Sequence, residues 1–137
     1  MAVRGRGPNR ADQANALRWE SGGRKNFARW ASHEFLPALA TALQQATETL
    51  AGEVFGEAVF DAFLMRSVPL ESAWISKHFG YPAAGTKDDA LMGMWGQTMS
   101  NLRLRHPDQR GKLTTPTSVY ENDYTVLKGV AQTLGAY

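Results

Sequence analysis

The stretch LPALATALQQATETLAGEV, residues 36–54, decides the fold class. Leu36, Leu39, Ala40, Leu43, Ala46, Leu50, Ala51 and Val54 recur at the i, i+3, i+4, i+7 spacing that puts apolar side chains on one face of an α-helix. Pro37 suits the first turn of a helix and disfavours the α conformation at Leu36, so a new helix is expected to begin there. Gly52 and Gly56 weaken its far end, where a break or kink is expected.

Working toward the N-terminus, Phe27, Trp30, Ala31 and Phe35 share one side of a second helical stretch, from about Arg24 to Leu36. Before it, Asn9 caps a short helix reaching about Trp19, with Asp12 three residues on, and Gly22 and Gly23 end it. MAVRGRGP, residues 1–8, has no periodicity and reads as an extended arm.

Toward the C-terminus, residues 53–66 read as helix, with an alternating strand pattern as the competing reading; Ala and Glu tip the balance to helix. Pro69 opens a helix carrying Leu70, Ala73, Trp74 and Phe79, closed by Gly80. Thr86 and Asp89 make a capping-box-like pair before a helix with Leu91, Met94, Trp95, Thr98 and Leu102 on one face. Ser118 and Glu121 make another before a last helix carrying Tyr120, Tyr124, Leu127, Val130, Ala131 and Leu134. The expectation is an all-α fold, a compact bundle of about six helices with an extended basic N-terminal arm. Residues 1–23 form the arm with its short helix, and residues 24–137 a single helical domain.

Charge is distributed unevenly. Residues 1–30 carry seven basic side chains against two acids, a net of +5; residues 31–99 carry three against eight, a net of −5; residues 100–137 carry a net of +2. The total of +2 conceals this segregation. A basic arm seeks an anionic partner, either nucleic acid or the acidic middle of another copy.

Several chemistries have no support in the residues. The chain has no cysteine, which removes disulfides, thiolate nucleophiles and cysteine-rich zinc sites. No stretch approaches the ~20 apolar residues of a membrane span, and the N-terminus lacks the apolar core of a secretory signal. Cytoplasm or a virion is the expected location. His33, His78 and His106 show no metal-ligand spacing, so an enzyme would have to assemble His33, Glu34 or His78 in space alone. Glu53, Glu57 and Asp61 form an i, i+4 ladder that reads as a solvated or partner-facing surface before it reads as a metal site. No catalytic residue, cofactor or metal is expected. The helices flanking residues 80–86 admit a helix-turn-helix reading, but the second opens with Asp88 and Asp89, which repel phosphate.

Two functional readings remain, differing in what the arm touches. In the first, the chain is a non-catalytic assembly protein, forming a homo-oligomer or joining other subunits. Arg4, Arg6, Arg10 and Arg18 are the electrostatic clamps, Trp19 is the apolar anchor, and Glu48, Glu53, Glu57 and Asp61 are the receiving surface. In general character, though in no single motif, such a small, cysteine-free, arm-bearing helical chain resembles bacteriophage virion components such as connectors, adaptors and minor capsid proteins. In the second, it is a small nucleic-acid-binding adaptor that contacts phosphates through the arm, Arg24 and Lys25, and the cluster Arg103, Arg105, Arg110 and Lys112.

Overall fold

The computed structural model describes residues 9–48, 72–104 and 117–136, and every element found there is helical. The elements are α1 (Arg10–Arg18), a π turn (Trp19–Gly23), α2 (Arg24–Trp30), a second π turn (Ala31–Phe35), α3 (Leu36–Glu48), α4 (Ser72–Phe79), α5 (Lys87–Leu104) and α6 (Thr117–Ala136). These join into four helical runs among the described residues, where about six separate helices were expected over the whole chain. Residues 1–8 of the arm, the helix-or-strand stretch 53–66 and residues 105–116 lie outside the described residues. No described helix is long and apolar enough to cross a membrane.

The merging of the first run has a local cause. Leu36 adopts helical angles (φ −63°, ψ −41°), so Pro37 does not start a separate helix. The Leu36 amide instead donates to the Ala31 carbonyl, one residue further back than in an α-helix. This wider turn lies immediately before Pro37, where the pyrrolidine ring crowds the preceding turn and supplies no N–H. At the other junction the helical angles do fail: Ser21 lies at φ −91°, ψ 22° and Gly22 at φ 136°. The run bends there, as the Gly22–Gly23 pair leads one to expect.

Helix ends follow the local chemistry. Asn9 Oδ1 accepts from the Asp12 amide at 2.8 Å, the expected N-cap of α1. Gly80, at φ 81°, closes α4 in the left-handed region. Thr86 Oγ1 accepts from the Asp89 amide at 3.1 Å, while the Asp89 carboxylate reaches past Thr86 to the Gly85 amide at 3.0 Å. Helix α6 begins at Thr117, so Ser118 lies inside its first turn and does not cap it.

One core joins the runs. Phe27, Ala31, Phe35, Leu36, Leu39 and Leu43 bury the predicted faces of the first run, and Tyr120, Leu127, Val130, Ala131 and Leu134 that of α6. Aromatic rings dominate the end near α4. Phe27 meets Phe79 and Trp95 edge-on, with centroids 5.6 and 5.0 Å apart, and tilts against Trp19 and Trp30. Such arrangements match the ring quadrupoles. Helix α5 buries most of its expected face: Trp95, Thr98 and Leu102 are buried and Leu91 packs against the core, whereas Met94 is half exposed. Asp88, Met92 and Met99, which the expected face did not include, are buried beside them.

Two glycines allow the first run to lie on the end of α4. A Cβ at Gly23 would strike the Phe79 carbonyl and the Arg18 carbonyl oxygen; one at Gly80 would strike the Asn15 carbonyl oxygen and the Trp19 amide nitrogen. Gly23→Ala is therefore expected to cost about 3 kcal/mol, from overpacking against backbone that cannot give way. Gly129 in α6 has open space where its Cβ would stand. Gly129→Ala is expected to stabilise by about 0.5–1 kcal/mol. Urea denaturation of the two variants beside the parent checks the pair; equal effects would show that the close approach is not what Gly23 serves.

Candidate functional site

The N-terminal basic segment was the expected site, and the structure divides its residues between surface and interior. Arg10 is exposed at the start of α1. Arg4 and Arg6 lie outside the described residues. Arg18, expected to clamp a neighbour, donates through Nη1 to the Ser76 carbonyl and through Nη2 to the Lys77 carbonyl, both at 2.6 Å. It thus sets a cation on carbonyls in the last turn of α4, at the negative end of the helix dipole, where the Ser76 carbonyl also accepts from the Gly80 amide at 3.0 Å.

Trp19 is a correction. It was expected as an apolar anchor on a partner, yet it is fully buried in this chain's own core. Its indole Nε1–H donates to Asp88 Oδ2 at 2.8 Å, and its ring packs against Phe27 and Tyr81. The reasoning from sequence saw little apolar company in the short helix around Trp19. The company comes instead from α2 and from the loop after α4. Arg18 and Trp19, assigned from sequence to the arm, thus contact α4 and the core of the described chain.

Arg24, expected to contact phosphate, faces acids within the chain. Its Nη1 lies 3.1 Å from Glu20 Oε1 and 3.4 Å from Asp88 Oδ2. Asp88 is therefore a shared acceptor for an indole and a guanidinium. Burying a carboxylate requires such donors, since an uncompensated charge there costs several kcal/mol. Asp88, Met92, Trp95, Met99 and Leu102 follow one another at helical spacing on the buried side of α5.

Lys25 is exposed and Arg103 half-buried, on different helices. Glu48 ends α3. Glu53, Glu57 and Asp61, and likewise Arg105, Arg110 and Lys112, lie outside the described residues, as does His106. His33 is exposed. His78 is exposed too, stacked on Trp74 with centroids 4.4 Å apart and its Nδ1 2.9 Å from the Trp74 carbonyl. The structure thus gathers Arg18, Trp19 and Arg24 at one junction, together with Asp88, read in the sequence only as a charge that repels phosphate, and with Asn15 and Tyr81, which did not stand out there.

Tyr81 completes the junction. Its amide donates to the Asn15 carbonyl at 3.0 Å. Burial, and then the nearby Asp89 carboxylate, push its phenol above the ordinary value of 10.0. No protein-family model, curated protein or solved structure matches the chain.

Two outcomes are expected here. Trp19→Phe and Asp88→Ala, combined in a double-mutant cycle, should show a coupling of about 1–3 kcal/mol in urea unfolding, the scale of a hydrogen bond to a buried charged acceptor. Additive effects would mean that the indole and the carboxylate act separately. The raised Tyr81 phenol favours the folded state below pH 10, and that contribution is lost as alkali ionises the unfolded chain first. The parent should therefore lose more thermal stability between pH 9 and about 11 than Tyr81→Phe does. Parallel alkaline limbs would sink this account.

Proposed function

We propose that this chain is a non-catalytic structural protein of an oligomeric assembly, its basic N-terminal segment engaging the acid-rich middle of neighbouring copies. A virion-type component, such as a phage connector, adaptor or minor capsid protein, is the kind of protein this reading points to. The observation that carries it is the segregation of charge, +5 over residues 1–30 against −5 over residues 31–99. Opposite charge on two parts of one chain attracts copies to each other and steers their encounter. The acidic middle also repels nucleic acid, which favours a protein partner.

Placement of the described residues narrows the clamp. With Arg18 and Arg24 engaged inside the chain, the bases left for a partner in this segment are Arg4, Arg6, Arg10, Lys25 and Arg29. Helix α1, capped by Asn9 and secured at its far end by Arg18 and Trp19, gives residues 1–8 a fixed base.

The nucleic-acid adaptor is the competing proposal, and one experiment separates the two. Mass in solution is measured by light scattering for the full chain and for a variant lacking residues 1–8, which spares Arg18 and Trp19. Both are run at low and high salt, with and without a short DNA duplex. The assembly reading expects a defined, salt-sensitive oligomer that the shortened variant fails to form. Monomers throughout, with only the full chain binding DNA at a log–log salt slope of about −0.9 per phosphate contact, would replace it with the adaptor.

A further inference from the structure

Helix α1 is unlike the other helices in one respect: none of its residues is buried. It touches the body near its C-terminal end, through the Asn15 carbonyl that accepts from Tyr81, the Arg18 guanidinium on α4, and the close approach of Gly80. On its outward side stand Arg10, Ala14 and Leu17, all exposed and spaced i, i+4, i+7. Leu17 is 71% exposed, the most open of the large apolar side chains among the described residues. A helix that lays such a stripe into a groove docks by anchors at this spacing.

We infer that the outward face of α1 docks on a second copy of this chain, with Leu17 as the apolar anchor that Trp19 is not and Arg10 as the adjoining charge contact. This rests on the assembly reading above and deepens it. Charge complementarity selects the occupant. Along the chain, α1 follows the segment carrying Arg4 and Arg6, while residues 31–99 of another copy carry a net charge of −5, of which, among the described residues, Asp88 is engaged with Trp19 and Arg24. A duplex of nucleic acid would meet the arginines equally well but has no use for an exposed leucine beside them.

The test exploits the absence of cysteine from the chain. Leu17→Cys creates a single attachment point for a photo-activated crosslinker, and the adducts are mapped by mass spectrometry. Crosslinks from one copy into residues 31–99 of another are expected. Adducts confined to the same copy, or to residues outside 31–99, would overturn the assignment of this face. In parallel, light scattering compares the parent with Leu17→Asp and Arg10→Glu. Because both side chains are exposed, the fold should survive, and near-ultraviolet circular dichroism of the buried Trp19 verifies that it does. Leu17→Asp should weaken self-association at least tenfold, and Arg10→Glu should weaken it most at low salt. An oligomeric parent with an equally oligomeric Leu17→Asp variant defeats the docking face and leaves the assembly reading standing. A parent that is monomeric at every concentration defeats both.

Discussion

At Gly23 the backbone of the first helical run lies so close to the Phe79 carbonyl that no side chain fits between them. Everything at the N-terminal end of the fold depends on this approach. Because the two backbones meet, Arg18 reaches the last carbonyls of α4, Tyr81 pairs with Asn15, and Trp19 enters the core. Gly80 makes the same approach from the other side, with the added demand of a positive φ. The pair converts a short polar helix that buries nothing into a fixed part of the molecule.

The buried Asp88 carries that constraint across to α5. A carboxylate out of water needs donors, and Trp19 and Arg24 supply them from either side of the kink. Asp88 lies on the same buried side of α5 as Met92 and Met99. The Asp88 contact engages Arg24 within the chain. Arg18, though exposed, is also engaged there, on the Ser76 and Lys77 carbonyls.

This division bears on function. On the proposed reading, a partner of α1 meets a helix already held by the fold at Arg18 and Trp19. The segregation of positive charge in the first thirty residues and negative charge in the middle makes another copy a natural partner. The proposed docking of Leu17 would add an apolar contact to an attraction that charge alone would leave sensitive to salt.

Local order was legible without coordinates. The apolar faces of residues 27–43 and 120–134, the Asn9 cap, the Thr86 cap and the stop at Gly80 follow from side-chain spacing, capping chemistry and the conformational freedom of glycine, which all act within one or two turns. What the chain does with Pro37 was not legible, because a wider turn absorbed the proline where a break was expected. The candidate site was legible as charge and misread as contact. Arg18, Trp19 and Arg24 were singled out as partner-facing, but within the chain they reach residues 58 to 69 positions away. Amphipathic periodicity and composition are properties of neighbouring residues, so the sequence by itself determined that the described chain is helical and where its basic charge lies. Which charged groups are engaged within the chain, and that Trp19 is buried, depend on Gly23 meeting Phe79 and Asp88 meeting Trp19. Only the tertiary structure decided those, because hydrogen bonds and van der Waals exclusion act over a few ångströms of space whatever the distance along the chain.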